Sequence, residues 1–117
     1  MEEVGYKRLL IWKKADELAF FVYQITKTFP RSEMFALTSQ MRRSGLSVPT
    51  NIVEGYARNS KNEFKRFLLI ALGSLAELKY LLSFSIRLQY LKESDYNEVI
   101  AKAEEVNRIL WKFYKVL

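Results

Sequence analysis

Residues 37–58 read LTSQMRRSGLSVPTNIVEGYAR, and the periodicity of that stretch decides the fold. Met34, Leu37, Met41, Val48, Ile52 and Tyr56 recur at helical steps and make an apolar stripe. Gln40, Arg43, Ser47, Asn51, Glu54 and Arg58 recur at the same steps, so a polar stripe runs beside it. Pro49 interrupts both. It lacks the amide that would bond to the carbonyl of Gly45, and a proline inside a helix costs about 3 kcal/mol. Gly45 has no side chain and leaves the backbone room to adjust, which predicts one kinked helix rather than two. Ser32 offers an N-cap with Glu33 beside it, and Gly55 and Asn59 offer stopping residues at the far end.

The flanking segments read as three more helices. Ile11, Ala15, Leu18, Val22, Ile25 and Phe29 form a seam that predicts a helix over 10–28, ended by Pro30. Ser60 and Glu63 match a capping box and open a third helix. Its seam is Phe64, Leu68, Ala71, Leu75, Leu78 and Leu82. Phe67, Leu69, Ile70, Leu72, Leu81, Phe84 and Ile86 cover much of its remaining circumference, a pattern that fits burial by another subunit. Glu77 and Lys79 argue against a membrane span, which needs about 20 apolar residues. A connection over 88–93 leads to a start at Ser94 or Asp95, with Glu98 at capping-box spacing. Val99, Ala103, Val106, Leu110, Phe113 and Leu117 complete the fourth seam.

Four such seams with short links predict an all-α, up-down-up-down antiparallel four-helix bundle in one domain, residues 1–117. Gly45 and Gly73 each lie fourteen residues from Asn59 in the second turn. They should stand at one level and mark a close backbone approach, with Glu77 in reach of Arg42 or Arg43. Composition agrees with an all-helical chain: glycine and proline number only four and two, so few turns are available.

Function is less legible. The chain has no cysteine and no histidine, which removes disulfides, Cys/His zinc sites, Ser-His-Asp and Cys-His nucleophiles, and Glu-x-x-His di-iron sites. No phosphate-binding or dinucleotide fingerprint occurs, and the acids are scattered, so neither enzyme nor cofactor is expected. The N-terminus, MEEVGYKRLL, lacks a long apolar core, and a cytoplasmic location follows as the expectation. The formal charge is +6, divided evenly: residues 1–58 carry nine Lys and Arg against six acids, and 59–117 carry ten against seven. No basic tail stands out.

Three basic groups are candidates for phosphate contact: Arg42, Arg43 and Arg58 with Thr50 and Asn51; Lys61, Lys65 and Arg66; and Lys13 with Lys14. Each also has an ordinary structural reading. Glu54 and Arg58 form an i,i+4 pair, the arginine pair would neutralise Glu77, and exposed lysines are commonplace. The functional reading needs the clusters gathered on one surface by assembly. The aromatic residues off the seams (Trp12, Phe20, Tyr23, Phe67, Phe84, Trp111 and Tyr114) either thicken the core or form a subunit interface, and the limited interior of a short bundle favours the interface.

The chain resembles the bacterial four-helix-bundle proteins named for reading frames in 23S ribosomal-RNA intervening sequences. The residues that carry the resemblance are 37–43 (LTSQMRR), 47–55 (SVPTNIVEG), Arg58, Ser60, Glu63-Phe64, Phe67-Leu68, Ile70-Ala71, Gly73-Ser74-Leu75 and Glu77-Leu78. Trp12, Lys14-Ala15, Leu18, Val22-Tyr23 and Phe29-Pro30 extend it to the first helix. The resemblance implies a bundle that assembles into a ring, a homopentamer. It also brings in a relative, the accessory bundle protein of diversity-generating retroelements, which works with a reverse transcriptase and binds nucleic acid. It supplies no catalytic residues. The expectation is therefore a non-enzymatic oligomer that binds RNA or DNA through basic residues gathered by assembly. The alternative is a scaffold that docks a partner such as a reverse transcriptase.

Overall fold

The polar backbone groups of these segments are satisfied by four helices in the computed structural model, which describes residues 4–117. The acidic opening, residues 1–3, lies outside the described residues. Helix α1 spans Leu10–Ile25, α2 Leu37–Ala57, α3 Lys61–Arg87 and α4 Glu93–Val116. Short 3-10 turns occupy Gly5–Arg8 and Arg31–Glu33. Neighbours run antiparallel: α2 packs on α1 and α3, α4 closes the square against both, and α1 and α3 stand diagonally.

The seams are the core. Leu18, Val22, Met41, Val48, Ile52, Leu68, Leu75, Leu78, Leu82, Val99, Val106 and Leu110 are fully buried. Burying one such side chain contributes about 1.5–3 kcal/mol. Met41, Val48 and Ile52 together therefore outweigh the proline cost, and α2 continues through Pro49 without a break. By length and composition α3 would also suit a membrane span. Its inner face accounts for part of that apolarity, since Leu68, Leu75, Leu78 and Leu82 face the other helices, while Leu69, Ile70, Tyr80 and Phe84 stay exposed on its outer face.

Several boundaries differ from the sequence reading. Helix α1 ends at Ile25, three residues early: the Thr26 amide still bonds to the Val22 carbonyl at 3.1 Å, but the Lys27 amide tightens to the Gln24 carbonyl at 3.3 Å. Ser32 lies in the 3-10 turn and does not cap α2. Glu33 takes that role, accepting the Leu37 amide at 3.3 Å, so Met34 precedes the helix and is exposed. Ser60 does cap α3, accepting the Glu63 amide at 3.3 Å. Asn59 ends α2 in the left-handed region, at φ 53°. Gly55 is no stop: it lies inside α2, where an added Cβ would meet the Phe67 Cβ at 2.7 Å. Helix α4 starts at Glu93, earlier than expected, and no side chain caps it.

Gly45 and Gly73 stand within a turn of one level, but the close approach expected between them fails. Ser47 and Ser74 hydroxyls meet at 2.8 Å, which sets the α2–α3 register about three residues from the predicted one, or about 4.5 Å. Gly45 packs on Val22 of α1, and a Cβ at Gly73 would meet nothing within 4 Å. Gly73 faces outward.

Candidate nucleic-acid interface

An antiparallel bundle brings distant segments to one end. The start of α1, the end of α2, the start of α3 and the end of α4 share a pole. It is tied together by Arg8 to the Tyr56 hydroxyl at 3.4 Å, by the Tyr56–Phe64 ring contact and by Phe64 on Phe113 at 5.5 Å. Charge follows this geometry. Residues 4–15, 54–67 and 105–117 hold eleven Lys and Arg against only Glu54, Glu63 and Glu105, a formal +8. The remaining described residues, 16–53 and 68–104, hold eight against eight acids and carry no net charge. The even division along the chain conceals a strongly polarised molecule.

Within the pole many cations already have partners. Glu63 accepts Arg66 Nε at 3.0 Å and Arg66 Nη2 at 3.2 Å, a two-point grip, and Arg58 lies 3.7 Å away. The hydrogen bonds from Arg66 hold the Glu63 carboxyl below its ordinary range, and the positive charges of Arg66 and Arg58 add to this. Arg58 also pairs with Glu54 at 3.0 Å. Both guanidinium groups lie over the Phe67 ring, at 5.0 and 4.5 Å. Exposed ion pairs of this kind contribute about 0–1 kcal/mol each, so this network organises the turn more than it stabilises the fold. Lys65 sits 4.9 Å above the Tyr114 ring, and Lys14 pairs with Glu105 at 3.6 Å. Lys13 stands beside Lys14 on the first turn of α1. Lys61 is exposed at the mouth of the α2–α3 turn.

Arg42 and Arg43 do not join this group. They lie about 15 residues up α2 from Arg58, or roughly 22 Å. Arg42 closes the end of α1, donating to Thr26 Oγ1 at 2.9 Å and the Tyr23 carbonyl at 3.3 Å, with its guanidinium over the Tyr23 ring. A cation there also suits the negative end of a helix. Arg43 is exposed, and among the described residues no ion pair joins either arginine to Glu77. The sequence reading missed Lys7, Arg8, Arg108, Lys112 and Lys115, which the topology brings to the pole. Only the folded connectivity reveals them.

The off-seam aromatics divide. Phe67 is buried, 6% exposed, against Gly55, and Trp12 packs half-buried on the core and edge-on to Tyr6. The protomer uses both itself. Tyr114 is half-buried between Lys65 and Trp111. Phe20, Tyr23, Phe84 and Trp111 remain exposed. On α3, Leu69, Ile70, Gly73, Ala76, Tyr80 and Phe84 make a continuous outward face whose one acid is Glu77. Its i,i+3,i+4 spacing was readable in the sequence once the seam was subtracted. Among the described residues no three potential metal ligands converge.

A family model described as 23S rRNA-intervening sequence protein matches residues 7–112. Among solved structures, the chain is similar to a protein of unknown function from the S23 ribosomal protein family of Bacteroides thetaiotaomicron. The two share 28% identity over 91% of this chain and 96% of that one, with a TM-score of 0.83. No curated protein matches.

Proposed function

The chain belongs to the 23S rRNA-intervening sequence protein family, and from that premise we propose that it is a non-enzymatic, self-associating bundle that binds nucleic acid at its basic pole. The observation that carries this reading is the +8 charge gathered at one end of the bundle. A cleft or pole of one sign attracts polyanions, and each phosphate neutralised releases counterions. The lack of histidine and cysteine supports a role without catalysis.

Self-association rests on the outer face of α3. A glycine in a helix costs about 1 kcal/mol against alanine. Nothing in the protomer uses the space at Gly73, while Leu69, Ile70, Tyr80 and Phe84 around it are exposed. A subunit seated there would use both features. A ring of five, the form implied by the family resemblance, would carry a formal +30 before screening. We place the protein in the cytoplasm.

Light scattering and titration test the two parts. Dilute protein should have a mass several times 13.8 kDa. Structured RNA or duplex DNA should bind at low salt, with affinity falling linearly in log salt. Absence of binding, or binding indifferent to salt, would end the nucleic-acid reading. A second reading, a scaffold for a partner such as a reverse transcriptase, draws on the exposed groove between α1 and α2. There Phe20, Met34, Leu46 and Phe35, the last 93% exposed, surround Tyr23. Capture of a partner that survives nuclease treatment would favour it.

A further inference from the structure

Helix α4 completes its seam with Val99, Ala103, Val106 and Leu110, all buried. Trp111 is therefore not needed by the core, and it stands 40% exposed on the flank of α4, about 100° round from Leu110. Arg108, Trp111, Lys112 and Lys115 occur at i, i+3, i+4 and i+7, so they share one helical face, and all four are exposed. With Asn107 and Ile109 they line an open hollow of about 510 Å³. Arg58, Lys65 and Arg66 at the same pole are engaged by acids or rings. Among the described residues Arg108, Lys112 and Lys115 have no ion pair or hydrogen bond. Tyr114 meets Trp111 edge-on at 5.7 Å and 87°, and Lys65 lies over Tyr114. The indole is thus braced from one side, and no other described ring stacks on it.

We propose that this face of α4 binds an unpaired nucleotide of a single-stranded nucleic acid. The base stacks on Trp111 and the flanking phosphates lie on Arg108, Lys112 and Lys115. This deepens the nucleic-acid reading above and rests on it. The chemistry selects single strands, because a base inside a duplex has both faces covered by its neighbours and cannot offer one to an indole. The cations alone would take any phosphate backbone. A second copy of the chain is the poorer occupant of this face. Lysine is depleted in the cores of subunit interfaces, and three unpaired cations around the ring would repel their equivalents. The outer face of α3, with no charged residue between Leu69 and Ala76, suits that purpose better.

The test uses the full chain with Trp12→Phe, which leaves Trp111 as the sole indole, and with Trp111→Ala in the otherwise unaltered protein. The probes are an oligouridine, an oligothymidine and a mixed-sequence duplex of equal length at matched salt. Either single strand should quench Trp111 emission, and the duplex should not. Trp111→Ala should weaken single-strand binding at least about fivefold and leave duplex binding unchanged. Lys112→Gln with Lys115→Gln should weaken both and reduce the salt slope by about 1.8 for the duplex and about 1.4 for the single strands. Should Trp12→Phe fold poorly, the comparison of Trp111→Ala with the unaltered chain decides alone. Equal effects of Trp111→Ala on single strand and duplex, or no effect on either, would overturn the proposal while the broader reading stands. A lower assembly mass in Trp111→Ala without quenching would likewise overturn it and make Trp111 a subunit contact. Failure of all three probes to bind would remove the broader reading too.

Discussion

Gly55 and Gly73 sit on adjoining helices and have opposite consequences. A Cβ at Gly55 would press on Phe67 Cβ at 2.7 Å and Phe64 Cδ1 at 3.0 Å. Phe67 Cβ is bonded to its own backbone and cannot swing away, so the helices themselves would have to shift. Overpacking of this kind costs about 1–3 kcal/mol, against about 1 kcal/mol gained by removing glycine from a helix. Gly55→Ala should therefore destabilise the protomer, by up to about 2 kcal/mol. At Gly73 the added methyl meets nothing within 4 Å, so Gly73→Ala should keep the gain of up to about 1 kcal/mol. Urea denaturation of dilute protein compares the two, and equal losses in both would contradict this account. In sequence the two glycines look alike, each inside a helical pattern. Counting from the turn gave approximate height along the bundle but not rotation about the helix axis. Rotation decides whether a glycine faces a neighbour or open space. The same limit separated Phe67, which turned inward, from Phe84, which did not.

Elements were read best where a repeating seam defined them and least well where a single cap decided the boundary. The middle of each seam is buried as its spacing required. Met34 at the start of the second seam is exposed, and Tyr56, Phe64, Phe113 and Leu117 near the seam ends are half-buried. The start of α2 was misplaced because Glu33, with a longer side chain than serine, reaches the Leu37 amide from four residues away. The α3–α4 turn carries no glycine, so nothing in it announced a left-handed residue. Yet Gln89 adopts φ 64°, its amide bonds to the Ile86 carbonyl at 3.0 Å, and the Tyr90 amide bonds to the Ser85 carbonyl at 3.1 Å. This paired arrangement closes a helix on a residue that is usually glycine. Glutamine pays about 1–2 kcal/mol for the left-handed conformation. Gln89→Gly should accordingly raise stability by about 1 kcal/mol, after the extra chain entropy of glycine is deducted. Asn59→Gly, at φ 53°, should gain less, because asparagine already tolerates that region. Thermal unfolding of the two variants orders them, and a larger gain at Asn59 would contradict the account.

For the molecule as a whole, connectivity does what linear composition could not show. Two halves of the chain each carry +3, yet folding sorts eleven of nineteen cations to one pole. The bundle is 42 Å long, and charges interact over about 10 Å at 0.1 M salt. Cations at the far end therefore contribute little to the field at the pole, and position should matter more than net charge. Two double variants with the same net charge separate these effects. Lys7→Gln with Lys61→Gln removes exposed pole cations that have no partner among the described residues. Lys27→Gln with Lys92→Gln removes two exposed cations from the opposite half. Against structured RNA, the pole variant should bind more weakly, and its salt slope should fall by about 2. The far-end variant should keep both affinity and slope near those of the unaltered chain. Equal weakening by the two would mean that bulk charge governs binding. In that case the polarity of the bundle would have no part in recognition, even though the protein bound nucleic acid.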